Sequence, residues 1–192
     1  MPRHFIRYIY AGIFAISFFL CLKITIPSLA ESVDTLDSEI IKKYQEIILQ
    51  EPSNTNAHFN LGILYYKNSL FDEAILEFRK VLDINPNDSE AYYNLGNIFT
   101  KKNLFDDAIE SYKKAIAINP RDAGIFHNLG NAYASKGMID DAISSYKKAI
   151  EINPNLAESH KNIAYLYRKK GQTSESIQSF EKAAKSNSKD IP

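Results

Sequence analysis

Proline recurs at Pro52, Pro86, Pro120 and Pro154, each 34 residues after the one before. Glycine keeps the same interval at Gly62, Gly96 and Gly130, and alanine at Ala74, Ala108 and Ala142, with Ser176 next in that series. Asparagine precedes three of the prolines, at Asn85, Asn119 and Asn153. Several residue types held on one period restrict the chain to a repeat architecture. Each unit is then one supersecondary element that cannot bury its apolar face alone and must stack on its neighbours.

Each period reads as two helices. In the second period, Ser89-Glu90-Ala91 opens a helix that carries Tyr92, Leu95, Ile98 and Phe99 at three- and four-residue spacings. Asn103 marks its end, because asparagine tolerates the left-handed backbone of a helix exit; Ser69, Gly137 and Gly171 hold the equivalent place. A second helix starts at Asp106-Asp107 and closes near Lys113-Lys114, with acids at the N-terminus and bases at the C-terminus. Asn119-Pro120 stops it, since proline disfavours a helical conformation in the residue before it. Gly96 and Ala108 are small where two paired helices would have to approach closely.

These positions resemble the tetratricopeptide repeat, a 34-residue helix–turn–helix unit. Unit one, 55–88, supplies Leu61, Gly62, Tyr65, Ala74, Phe78 and Pro86. Unit two, 89–122, supplies Tyr92, Leu95, Gly96, Phe99, Ala108, Tyr112, Ala115 and Pro120. Unit three, 123–156, supplies Phe126, Leu129, Gly130, Tyr133, Ala142, Tyr146, Ala149 and Pro154. Unit four, 157–190, departs from the pattern, with Ala164 for glycine, Ser176 for alanine and Ser188 for proline. His58 and His160 stand where the family prefers a large aromatic. The resemblance implies an all-α, right-handed superhelical solenoid of antiparallel helix pairs. Residues 31–54 are a linker and an N-terminal capping helix, with Ile40, Tyr44 and Ile47 on 36–50 as the second half of an incomplete unit. The final helix, about 174–186, is polar enough to serve as a solvated end.

The first thirty residues stand outside this periodicity. Arg3 and Arg7 precede an apolar run from Tyr8 to Leu22, and Ile26-Pro27-Ser28-Leu29-Ala30 follows with small residues near its end. The run spans roughly 22 Å as a helix, short of a bilayer core. This is the layout of a secretory signal cleaved after Ala30. The other reading is an uncleaved anchor through Ile26, in which residues 1–26 are the only membrane contact. Both export residues 31–192, to a periplasm or beyond the cell. Cleavage takes three bases and no acid from the 23 of each, leaving a net charge of −3, and it removes Cys21, the single cysteine.

Composition and motif point to binding without turnover. A formal charge of zero offers no basic excess for nucleic acid. One cysteine cannot build a disulfide framework or a thiolate zinc site. His58, His127 and His160 are far apart in the sequence, with no cluster around any of them, and His58 and His160 fall at core positions. The pairs Asp106-Asp107 and Asp140-Asp141 recur at helix starts, where the helix dipole accounts for them. No enzyme activity, cofactor, metal or small-molecule substrate is expected, and the partner expected is a protein or peptide.

The resemblance implies that the first helix of each unit lines a concave groove. Asn60, Asn94, Asn128 and Asn162 hold one groove-facing place, and Asn97 and Asn131 extend the polar strip one turn on. An asparagine amide both donates and accepts, so such a ladder suits a peptide backbone. Phe59, Tyr66 and Tyr93 add aromatic surface, and His127 lies beside a core position, where it could face the groove. Chaperone-binding members of the family grip a terminal carboxylate with basic residues at fixed groove places. Here those places hold Phe59, Ile63, Gly124 and Asn128, or Tyr93, Asn97, Glu158 and Asn162 one unit later, so no such clamp forms.

Overall fold

The computed structural model describes residues 35–187. The signal or anchor segment, the start of the linker and the last residues of unit four lie outside them. The described chain is a succession of α-helices: α1 (Thr35–Gln50), α2 (Thr55–Lys67), α3 (Phe71–Ile84), α4 (Ser89–Lys101), α5 (Phe105–Ile118), α6 (Ala123–Ser135), α7 (Ile139–Ile152), α8 (Ala157–Lys169) and α9 (Thr173–Asn187). The chain divides between Ile40 and Ile41 into two compact units. Of the first, only the opening of α1 is described; the second holds the rest of α1 and all eight repeat helices. In that second unit Gln45 of α1 donates to the Tyr65 hydroxyl of α2 (3.0 Å).

Local chemistry starts and stops the helices much as the sequence predicts. Asn54, Asp88 and Asp122 cap α2, α4 and α6, each accepting from a backbone N–H of the first turn, with Asp88 reaching Ala91 N at 2.8 Å. The helix-to-helix corners need a left-handed residue, and Ser69 and Asn103 take φ of 60°, beside Gly137 at 83° and Gly171 at 77°. Asn85, Asn119 and Asn153 end α3, α5 and α7 before their prolines.

Within each pair, the helices meet over the small residues. Ala74, Ala108 and Ala142 are fully buried. A Cβ added at Gly96 would lie 2.5 Å from the Tyr112 ring, and one at Gly130 would lie 2.7 Å from Tyr146, so glycine there is a condition of the crossing. In unit four the same crossing is solved differently. Ala164 replaces the glycine, and Ser176, which replaces the alanine, donates its hydroxyl to the Ala164 carbonyl at 2.8 Å.

Successive pairs stack through two apolar clusters. Ala74, Ile75, Phe78 and Val81 of α3 meet Ala91, Leu95 and Ile98 of α4. A second cluster runs from α5 to α8 through Ile109, Ile125, Leu129, Tyr133 and Ile163, and the half-buried Phe99 packs against both. A ladder of ion pairs repeats alongside. Lys102 pairs with Asp72, Lys136 with Asp106, and Lys170 with Asp140 at 2.5 Å. The dipole role expected for Asp106 and Asp140 is thus joined by a bond to the next unit.

Candidate functional site

The groove is built by α2, α4, α6 and α8, with the second helix of each pair supplying its floor. Tyr112 of α5 and Tyr146 of α7 are buried, with rings against Gly96 and Gly130 and hydroxyls emerging between the first helices. Tyr112 Oη donates to Asn97 Oδ1 at 2.8 Å. Asn128 Nδ2 donates to the same Oδ1 at 2.9 Å and to Tyr93 Oη at 3.0 Å. One repeat on, Tyr146 Oη donates to Asn131 Oδ1 at 2.6 Å, while Asn162 Nδ2 donates to Asn131 Oδ1 at 3.2 Å and to Tyr146 Oη at 3.3 Å. The asparagines therefore bond across units, from Asn128 back to Asn97 and from Asn162 back to Asn131.

This changes what the ladder offers a partner. Asn128 and Asn162 place their amide hydrogens on groups of the protein itself. Asn94 folds back and donates to the Glu90 carbonyl of its own helix at 2.9 Å. Asn60 is exposed. The Oδ1 atoms of Asn97 and Asn131 each accept two hydrogen bonds, which fixes their amides and turns the Nδ2 groups the other way. Asn97 Nδ2 makes no hydrogen bond within the described residues, and Asn131 Nδ2 has only a long one, 3.5 Å to Asn128 Oδ1.

The network changes character at the two ends. In unit one Ile63 and Phe78 stand where Asn97 and Tyr112 stand in unit two, and Phe59 packs edge-on to Phe78 with ring centroids 5.4 Å apart. Tyr66 tilts against Phe71 at 6.0 Å. In unit four the pair is Tyr165 and Phe180, edge to face at 5.2 Å, with the Arg168 guanidinium 5.0 Å from the Tyr165 ring centre. His127 does not stand free in the groove. It is half-buried, its Nδ1 is 2.8 Å from Ser159 Oγ, and its ring lies 5.4 Å from that of Tyr146. Burial pushes the imidazole below its ordinary range, with Glu158 working weakly the other way, so it is neutral at pH 7.

Two recesses open along this strip, one repeat apart. The first, about 310 Å³, is lined by Asn97, Tyr112, Asn128 and Asn131 together with Tyr66, Thr100 and Lys101. The second, about 360 Å³, is lined by Asn131, Tyr146 and Asn162 together with Ala134, Ser135, Tyr165 and Leu166. In the sequence Tyr112 and Tyr146 are legible only as positions of the repeat pattern. Their role could have been read from a coupled pattern: Asn97 and Tyr112, like Asn131 and Tyr146, are 15 residues apart, and where the asparagine becomes Ile63 or Tyr165 the tyrosine becomes Phe78 or Phe180. Among the described residues no group of three or more His, Cys, Asp or Glu side chains could hold a metal ion.

Helix pairs repeated on one period around a continuous groove define a helical-repeat binding protein. Family models described as TPR repeat and tetratricopeptide repeat match residues 96–137, 55–88 and 123–156, and 77–110 and 145–178. A crystal structure of MamA is similar at 31% identity, over 78% of this chain and 87% of that one, with a TM-score of 0.75. MamA from Desulfovibrio magneticus RS-1 shares the fold at 21% identity, covering 81% and 88% of the two chains, with a TM-score of 0.76. So does YrrB, described as a TPR protein with an unusual peptide-binding site, at 22% identity, 80% and 81% coverage and a TM-score of 0.69. The chain belongs to the tetratricopeptide-repeat family, whose arrays are protein-interaction scaffolds. No curated protein matches it in sequence.

Proposed function

We propose that this chain is an exported scaffold or adaptor that holds a segment of a partner protein in its groove, within a cell-envelope assembly. The observation that carries the reading is the pair of repeat-equivalent recesses in one strip, between which Asn97 and Asn131 turn amide donors toward whatever lies there. Amide donors on a rigid floor suit the carbonyls of an extended backbone, and a groove ordered before binding loses little entropy when it is filled. Binding is reversible docking without turnover. The basic and apolar N-terminal residues support export, either as a signal released after Ala30 or as an anchor through Ile26.

Photo-crosslinking in the native host tests the groove. A benzoylphenylalanine at Ser135 lines the second recess, whereas one at Lys148 projects from α7 on the side away from Tyr146. A protein adduct from position 135 and none from position 148 is expected. Adducts from 148 alone would overturn the groove reading. For export, the mass of the native protein should begin at Glu31, or the intact chain should sediment with membranes. An intact chain in the soluble cytosolic fraction removes that part of the proposal.

A further inference from the structure

The two recesses differ in charge. Lys101 lines the first and is exposed, and it makes no ion pair with any described residue, whereas its neighbour Lys102 is tied to Asp72. One repeat on, the place of Lys101 is taken by Ser135 and that of Thr100 by Ala134, and no cation lines the second recess. The polar inventory of the first recess also leans toward donors, its one amide acceptor to spare being Asn128 Oδ1, which has only a 3.5 Å contact from Asn131. Asn97 Oδ1 is doubly engaged, Tyr112 and Thr100 have donated their hydroxyl hydrogens to Asn97 and to the Gly96 carbonyl, and no carboxylate lines the site. The Lys101 ammonium, the Asn97 amide hydrogens and the Tyr66 hydroxyl are left without partners among the described residues. That is a set of donors around one cation, which matches an anionic oxygen pair.

We infer that the first recess recognises the side-chain carboxylate of an Asp or Glu in the partner segment, with Lys101 as its counter-ion and Asn97 and Tyr66 as hydrogen-bond donors. This rests on the groove reading and sets the register of the segment within it. A side-chain carboxylate, not a chain terminus, is the occupant because the strip continues on both sides. The second recess lies toward unit four, and the apolar floor of Phe59, Ile63 and Phe78 lies toward unit one. A segment through both places must pass the first recess in mid-chain. The residues differ from those of the carboxylate grip of chaperone-binding relatives, whose places here carry Phe59, Ile63, Gly124 and Asn128. The neutral second recess, with Tyr165 and Leu166, favours an uncharged side chain one repeat further along.

Phage-displayed random dodecapeptides, selected on the full 192-residue chain, provide the probe. Selected sequences should share an acidic residue at one position relative to the rest of the motif. A synthetic peptide of that sequence should bind about tenfold or more tightly than its Glu→Gln or Asp→Asn twin, as expected for hydrogen bonds to a charged group. Lys101→Gln should abolish that difference, Lys101→Glu should select Lys or Arg at the same position, and Lys102→Gln should leave the preference unchanged. Peptides that bind without acidic preference, or whose preference survives Lys101→Gln, overturn the inference and leave the groove reading standing. Failure to select any peptide that competes with a Ser135 crosslink overturns both.

Discussion

Gly96 and Gly137 are both glycine for a reason, but not for the same one. Gly96 has ordinary helical backbone and no room: a methyl group would sit 2.5 Å from the Tyr112 ring, and Tyr112 is held by its own hydroxyl bond to Asn97. Gly137 has open space and unusual backbone, with φ at 83°. Gly96→Ala should therefore destabilise by about 1–3 kcal/mol through overpacking, and lose the Tyr112–Asn97 bond with it. Gly137→Ala should cost about 1 kcal/mol, with the groove unaltered. Urea denaturation of the two variants measures the costs, and peptide binding separates the mechanisms; equal binding by both variants would refute the distinction. Tyr146 makes a second residue-scale prediction. Burial pushes its hydroxyl up to about 12, against a lowering contribution from the Asn162 amide, and burial raises Tyr112 as well. An unfolded tyrosine ionises near pH 10, so below that pH both states are neutral and the contribution is complete. Between about pH 10 and 12 the unfolded chain releases its proton first, and stability falls by up to about 1.4 kcal/mol per pH unit. Tyr146→Phe should be about 1 kcal/mol less stable than the parent at pH 8. That gap should narrow above pH 10, because the variant has no such proton to lose. A gap that stays constant to pH 12 would sink the assignment.

At the scale of elements, one repeat position shows how the stack distributes its energy. Ile75, Ile109 and Ile143 are 8%, 8% and 6% exposed, the first two clustered with residues of the helix that opens the following unit, whereas the equivalent Ile177 on α9 is 55% exposed. The same substitution should thus have two outcomes. Ile143→Ala removes buried methyls and leaves a cavity, at about 2–4 kcal/mol, while Ile177→Ala should fall below about 1 kcal/mol. Comparable losses at the two positions in chemical denaturation would show that α9 is covered in solution. Much of this was legible in the sequence, because the 34-residue period places each core residue on its face and the capping residues sit where helices begin. What the sequence did not expose was the direction in which polar side chains spend their hydrogen bonds. A ladder of asparagines reads as open surface until the tyrosines 15 residues downstream are placed beneath it, and Asp106 reads as a dipole cap until Lys136 of the next unit reaches it. Both contacts cross between elements, and pattern within a single helix carries no trace of them.

Over the whole molecule, each unit of a solenoid contacts only its neighbours, so cooperativity depends on neighbour-to-neighbour coupling. Here that coupling has an identifiable seam. The apolar cluster of α3 and α4 and the cluster that runs from α5 to α8 are distinct, and the half-buried Phe99 of α4 packs against both. The Lys102–Asp72 and Lys136–Asp106 pairs also join successive units, but their aspartates are largely exposed and such pairs contribute less than about 1 kcal/mol each. Apolar contact at Phe99 is therefore a stronger link than these pairs between the α3–α4 cluster and the cluster that begins in α5. Phe99→Ala should cost about 2–4 kcal/mol, and, unlike a loss of similar size from Ile143→Ala, it should also weaken the coupling between the clusters. Its urea transition should broaden, with a smaller apparent m-value, because units then unfold over different ranges of denaturant. Native-state hydrogen exchange should show α2 and α3 opening at lower free energy than α5 to α7, where the parent protects them together. If Phe99→Ala only shifts the midpoint and keeps the parent's m-value, the two clusters are coupled chiefly through the other contacts of α4, with Tyr92 and Tyr93 on the second cluster and Gly96 against the Tyr112 ring, and not through this ring.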